Sequence, residues 1–115
     1  MKRTATLANF LKVLSSKVGV ERERLYQLVK SAEEGYYLRD TKRQLEIGLV
    51  LQAFPYPFNQ VGNYYEAINL YRNNQYDKAR IILENVAEQG PSRYRSKALL
   101  SLSAVEETRV ILMRH

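Results

Sequence analysis

The chain contains no cysteine and no tryptophan, and its single histidine is His115. The absence of cysteine excludes disulfide bonds and thiolate metal sites, and one histidine is too few for most catalytic or metal-binding clusters. The five glycines stand singly, so none of them forms the glycine-rich loop that binds phosphate groups. We therefore expect a protein without enzymatic activity, bound cofactor or bound metal.

Paired acidic residues are the remaining candidates for acid–base chemistry. They occur at Glu21/Glu23, Glu33/Glu34 and Glu106/Glu107. A catalytic carboxyl group needs burial or a close like charge to raise its pKa. These pairs lie at predicted helix ends beside lysines and arginines, so we interpret them as solvated. The chain also lacks an apolar run of about 18 residues, and we expect no membrane span.

The apolar residues repeat with a helical period. Hydrophobic residues make up 45% and charged residues 26% of the 115 residues, which is typical of a folded globular chain. The spacing predicts an all-α fold of about six helices, at about 6–18, 21–34, 40–54, 63–73, 76–89 and 93–113. No low-complexity linker divides the chain, so residues 1–115 are predicted to form one domain with an N-terminal hairpin at about 6–34.

Local signals predict where several helices begin and end. Gly19 and Gly35 are expected to end the first two helices. Asp40 is a candidate N-cap for the third helix, because its carboxylate can accept from the free amides of the first turn. Between Leu45 and Phe54 the sequence is mostly apolar, so we expect the third helix to be the most buried.

The stretch from Tyr64 to Glu84 resembles a tetratricopeptide repeat, a unit of about 34 residues folded as two antiparallel helices. Aligned so that Pro91 closes the unit, the repeat covers residues 60–93, and residues 26–59 fit a preceding unit poorly. The resemblance assigns five residues to repeat packing: Ala67, Tyr76, Ala79, Leu83 and Pro91. Small side chains suit positions where helices approach to about 8–10 Å. The sequence departs from the family pattern at Asn63, Leu70 and Val86.

The resemblance implies that antiparallel hairpins stack as a short right-handed superhelix, with a C-terminal capping helix at about 93–113. The first helices of successive hairpins would line a concave groove containing Tyr64, Ile68, Tyr71, Arg72, Arg95 and Leu102. Tyrosine gives a recognition surface large area at low entropic cost, although tyrosines at this spacing also serve as packing. The family's clamp for chaperone tails needs lysine and asparagine where this chain has Tyr64 and Ile68, which argues against that ligand.

These features predict a non-enzymatic adaptor or scaffold that binds a protein or peptide segment in the groove. A short repeat array leaves apolar surface at its ends. The apolar run from Val110 to Met113 is our candidate for self-association, and the alternative is that the last helix simply packs on the fifth.

Positive charge is concentrated at the two ends of the chain. The formal net charge is +6, of which residues 1–20 carry +4 without any acid and residues 91–115 carry +3. The alternative function is therefore binding to an anionic membrane surface or to nucleic acid through Lys2, Arg3, Lys12 and Lys17. The matching apolar spacing of the second helix opposes this alternative, because it offers the first helix a partner within the chain.

We expect a cytoplasmic protein, with mitochondrial targeting or attachment to a membrane surface as the alternative. An acid-poor N-terminus with serine and lysine is typical of a mitochondrial address. A secretory signal is disfavoured because Lys12 interrupts the apolar stretch that such a signal needs.

Overall fold

In the computed structural model, the described residues are 18–114, and they form five helices without any strand. The helices are α1 (Val18–Tyr37), α2 (Thr41–Leu51), α3 (Phe58–Arg72), α4 (Tyr76–Gln89) and α5 (Ser92–Arg114). The all-α class is confirmed. The first of the six predicted helices, at about 6–18, lies outside the described residues.

α1 does not end at the glycine expected to stop it. Gly19 and Gly35 both lie inside the helix, which continues to Tyr37. Gly35 faces α2, where a Cβ atom would lie 3.1 Å from Cγ of Gln44, so its missing side chain serves the packing of two helices. The chain turns after α1 at Arg39, which adopts a φ of 56°.

α2 begins at the predicted cap. The Asp40 side chain accepts a hydrogen bond of 3.0 Å from the Arg43 amide, as expected for an N-cap. The prediction that this helix is the most buried is wrong, because Leu49 and Val50 are about half exposed. Within residues 18–114, α2 packs mainly against α1 and α3.

α3 is the central helix of the fold. It contacts α2, α4 and α5, and it contributes six buried residues: Phe58, Gln60, Val61, Gly62, Tyr65 and Ala67. It begins five residues before the predicted start, directly after Pro57, whose carbonyl accepts from the Val61 amide at 3.2 Å. Proline suits this position because its missing amide costs nothing before the first helical turn.

α4 and α5 complete the chain of packed helices. α4 spans the predicted residues, and α5 runs to Arg114 after a break at Gly90 and Pro91. Each helix packs against the next one, and α3 also packs against α5. The largest fully buried side chains are Leu51, Leu83, Val86 and Val105. None of the helices within residues 18–114 is both long enough and apolar enough to cross a membrane.

Candidate functional site

A groove of about 460 Å³ lies between α1, α3 and α5. Five tyrosines line it: Tyr36, Tyr37, Tyr64, Tyr65 and Tyr71. Tyr36 and Tyr37 come from the end of α1 and are 63% and 83% exposed, whereas the other three belong to α3 and are more buried. The groove therefore has an aromatic floor on α3 and a projecting aromatic edge on α1.

Four of the six residues predicted for the groove line it, namely Tyr64, Ile68, Tyr71 and Arg72. Arg95 and Leu102 do not, because they lie on the side of α5 away from the groove. α5 instead presents Arg93, Lys97, Leu100, Ser101 and Ala104. Arg93, Lys97, Leu100 and Ala104 follow the i, i+4, i+7, i+11 spacing of one helix face. Because each residue turns the helix by about 100°, Arg95 and Leu102 lie roughly opposite Arg93.

α1 also contributes to the groove, which the sequence did not predict. Glu33, Tyr36 and Tyr37 line the groove, but the predicted helix stopped at residue 34. The dipeptide Tyr36–Tyr37 could have indicated this contribution, because two adjacent tyrosines cannot both face the core side of one helix.

Two tyrosine hydroxyls on α3 contact hydroxyl groups on α5. The Tyr64 hydroxyl lies 3.5 Å from the Ser101 hydroxyl, and the Tyr71 hydroxyl lies 3.1 Å from that of Thr108. Both pairs are seven residues apart on each helix, so they lie two helical turns apart along one seam. Burial is the main cause that raises the pKa of Tyr64. These tyrosines therefore hold the groove together as well as lining it.

A third pair of hydroxyl groups, which joins two tyrosines, lies beneath the groove. The hydroxyls of Tyr65 and Tyr94 are 3.1 Å apart, and both side chains are nearly inaccessible to solvent. Burial raises the pKa of Tyr65 to about 12, and burial together with the neighbouring Tyr65 raises the pKa of Tyr94 as well. Both hydroxyls consequently stay neutral above the pH at which an exposed tyrosine ionises, and they serve as a fixed hydrogen-bonded contact.

The charges around the groove are predominantly positive. The Arg72 guanidinium donates to Oε1 of Gln44 at 2.8 Å, and the buried Gln44 donates from Nε2 to the Ala32 carbonyl at 3.1 Å. Within residues 18–114, Arg72 has no carboxylate partner. Arg72 is thus held in position by a neutral side chain while its charge remains available.

Two further cations stand on α5. Arg93 forms an ion pair with Glu33 across the groove, which links α5 to α1. The Lys97 ammonium lies 5.7 Å from the centre of the Tyr94 ring. Glu33 is the one acidic side chain among the described residues that line the groove, so the groove favours anionic over cationic ligands.

The predicted packing residues of the repeat lie around α3 and α4. Ala67, Ala79 and Leu83 are completely buried. Tyr76 is half-buried, with its ring centre 5.5 Å from that of Tyr71 and its hydroxyl donating to Asn74 at 2.8 Å. Pro91 lies just before α5, where its carbonyl accepts from the Tyr94 amide at 2.8 Å.

The remaining candidate residues lie elsewhere. Lys2, Arg3, Lys12 and Lys17 are outside the described residues. The run from Val110 to Met113 is exposed at the end of α5. Among residues 18–114, no three acidic or histidine side chains come close enough to hold a metal ion.

Comparisons of the chain with protein-family models, curated proteins and solved structures find no match. The resemblance to a tetratricopeptide repeat therefore rests on the residues of this chain alone.

Proposed function

We propose that the chain is a short tetratricopeptide-like array that binds a segment of another protein in the groove between α1, α3 and α5. The observation that carries this proposal is the tyrosine-lined groove itself. The alternate helices α1, α3 and α5 supply all of its lining residues except Gln44 of α2, and alternate helices also line the groove in a stack of helical hairpins. The complete burial of Ala67, Ala79 and Leu83 also supports a repeat-like hairpin of α3 and α4.

The exposed tyrosines support protein binding over a purely structural role. Tyr36 and Tyr37 project from the end of α1 with their ring centres 5.5 Å apart. Large aromatic surface that is left in water costs solvation free energy, and it is a common feature of recognition sites. A partner that covers these rings would recover that free energy.

The charge of the groove favours a segment that carries acidic side chains. Arg72 is oriented by Gln44, and a guanidinium held in this way can bind a carboxylate with two parallel hydrogen bonds. The Lys97 ammonium adds positive charge on the opposite wall. An acidic segment with one or two apolar anchors would match both the rings and the cations.

Selection of peptides from a random display library tests this proposal directly. Binding of a selected peptide to Tyr37→Ala and to Arg72→Ala should be at least about tenfold weaker than to the parent chain, because anchoring residues commonly contribute 2 kcal/mol or more. Tyr56→Ala is the matched control, since Tyr56 is 57% exposed and lies outside the groove. Equal loss in the control, or no loss in either groove variant, would contradict the proposal.

The second candidate function is binding to an anionic surface. It is favoured by the four bases and the absence of acids in residues 1–20. Replacing Lys12 and Lys17 by glutamine should then release the chain from vesicles that contain phosphatidylserine, and added salt should have the same effect. If nucleic acid is the anionic ligand, the same substitutions and added salt should weaken its binding. A cytoplasmic location is proposed with the peptide-binding function, and a mitochondrial or membrane-surface location with this one.

A further inference from the structure

α5 has an outer face whose middle is not covered by any other helix of residues 18–114. α5 packs against α4 and α3 through Tyr94, Ala98 and Val105, which are all buried. On the other side Leu99 and Leu100 are 57% and 74% exposed in the middle of the helix. We define the α5 outer face by its exposed residues outside the groove, together with Leu100 at the edge of the groove: Arg95, Ser96, Leu99, Leu100, Ser103, Glu106, Glu107 and Val110.

Charge is distributed unevenly along this face. One base, Arg95, precedes the leucines, and two acids, Glu106 and Glu107, follow them. Arg95 and Glu106 are eleven residues apart, which is close to three full helical turns, so they lie on nearly the same side of α5. Because a base precedes the leucines and acids follow them, the faces of two copies are complementary in charge when the helices are antiparallel.

We propose that the α5 outer face binds the same face of a second copy, with the two α5 helices antiparallel. A two-fold axis near residues 100–101 places Arg95 of each copy opposite Glu106 of the other, and it brings the Leu99 and Leu100 side chains of both copies together. Isologous contacts of this kind require a self-complementary surface, and this charge order provides one. The second copy is therefore the occupant that the face selects.

The ion pairs that Glu106 makes within the chain do not prevent this contact. Glu106 lies 3.2 Å from Arg109 and 3.8 Å from Arg80, and its side chain remains about half exposed. Exposed pairs of this type contribute little to stability. Glu106 can therefore keep its neighbours on one side and meet Arg95 of the second copy on the other.

This inference goes beyond the peptide-binding proposal, with which it shares Leu100 at the edge of the groove. It also differs from self-association through the end of α5 alone. The apolar run from Val110 to Met113 lies at one end of the α5 outer face. In the antiparallel arrangement Val110 lies opposite the start of the other α5, and the leucines rather than these residues form the centre of the contact.

Sedimentation velocity over a wide concentration range tests the proposal on the full chain. We expect a reversible dimer of the parent chain. Arg95→Glu and Glu106→Arg should each weaken dimerisation by at least about tenfold, because each places like charges opposite one another twice. An equimolar mixture of the two variants should restore dimers, since the new carboxylate at position 95 of one chain then faces the new guanidinium at position 106 of the other. Circular dichroism checks that both variants remain folded.

Two further measurements complete the test. Leu99→Asp should abolish dimerisation, whereas the control variants Lys30→Glu and Glu88→Arg, which change exposed charges on α1 and α4, should leave it unchanged. A parent chain that stays monomeric at all concentrations would overturn the proposal and leave the face to another partner. Dimers that survive Leu99→Asp, or single variants that do not associate when mixed, would also overturn it.

Discussion

Gly48 and Gly62 face each other where α2 meets α3, and neither position has room for a side chain. A Cβ atom on Gly48 would lie 2.9 Å from Cβ of Tyr65 and 3.2 Å from the Gly62 carbonyl oxygen. A Cβ atom on Gly62 would lie 2.8 Å from the backbone nitrogen of Gln52. The two helices therefore touch through their backbones, which brings Tyr65 and the floor of the groove against α2.

Gly62→Ala is expected to destabilise the chain by about 1–3 kcal/mol, the cost of overpacking a tight contact. The two atoms nearest to the added Cβ are backbone atoms of Gly48 and Gln52, which cannot move aside without shifting a helix. In a helix without such a contact the same substitution stabilises by about 1 kcal/mol. The sign of the change in the free energy of unfolding therefore shows whether the close contact exists. Urea denaturation followed by circular dichroism measures it. A more stable Gly62→Ala variant would contradict the close approach of α2 and α3.

The ends of the helices were predictable where turn-forming residues mark them. α4 was predicted without error because asparagines precede it and Gly90 and Pro91 follow it. The start of α3 was missed because Gly62 disfavours a helix locally, and only its contact with Gly48 explains why glycine is needed there. A tertiary contact of this kind leaves no signal in the periodicity of either helix.

The groove was predictable on α3 but not on α5. Tyr64 and Tyr71 lie two turns apart on one face of α3, and the resemblance assigned that face to the groove. α5 carries Leu99, Leu100 and Leu102 on three different sides, so its periodicity does not reveal which side is covered. The positions of α3 and α4 decide this, and they bury Tyr94, Ala98 and Val105.

Ala79→Leu tests the packing of α4. Ala79 is completely buried, and a leucine there should destabilise the chain by about 1–3 kcal/mol. Lys78→Leu is the matched control, because Lys78 is exposed on the same helical turn and its replacement should change stability by less than about 0.5 kcal/mol. Thermal denaturation compares the two variants. Equal melting temperatures would show that Ala79 is not at a close contact between helices.

The buried pair of Tyr65 and Tyr94 should make the free energy of unfolding depend on pH in the alkaline range. The pKa of Tyr65 is raised from 10.0 to about 12 in the folded chain, mainly by burial. Because the folded state holds the proton more tightly, the free energy of unfolding should be constant below about pH 10 and should fall as the pH rises towards about 12. Denaturant titrations at a series of pH values measure this decline.

The double variant Tyr65→Phe/Tyr94→Phe should flatten that decline, because no buried hydroxyl remains to ionise at either position. Tyr36→Phe is the control, since Tyr36 is 63% exposed and should leave the decline intact. Tyrosinate absorbance provides a second readout, in which two hydroxyls of the parent should ionise only as the chain unfolds. Early ionisation of all tyrosines in the folded chain would contradict the burial of this pair.

The contact between Tyr71 and Thr108 should couple α3 to α5. Tyr71→Phe and Thr108→Val each remove one partner of the 3.1 Å hydrogen bond, so the double variant should lose less stability than the sum of the two single variants. We expect a coupling energy of about 0.5–1.5 kcal/mol, the usual net contribution of one such bond. Pairing Tyr71→Phe with Ser103→Ala gives the control cycle, because Ser103 lies on the opposite, exposed side of α5 and should not couple. A coupling energy of zero would contradict a stabilising bond between Tyr71 and Thr108. The tyrosine would then be free to turn towards a ligand, and Tyr71→Ala would test binding rather than packing.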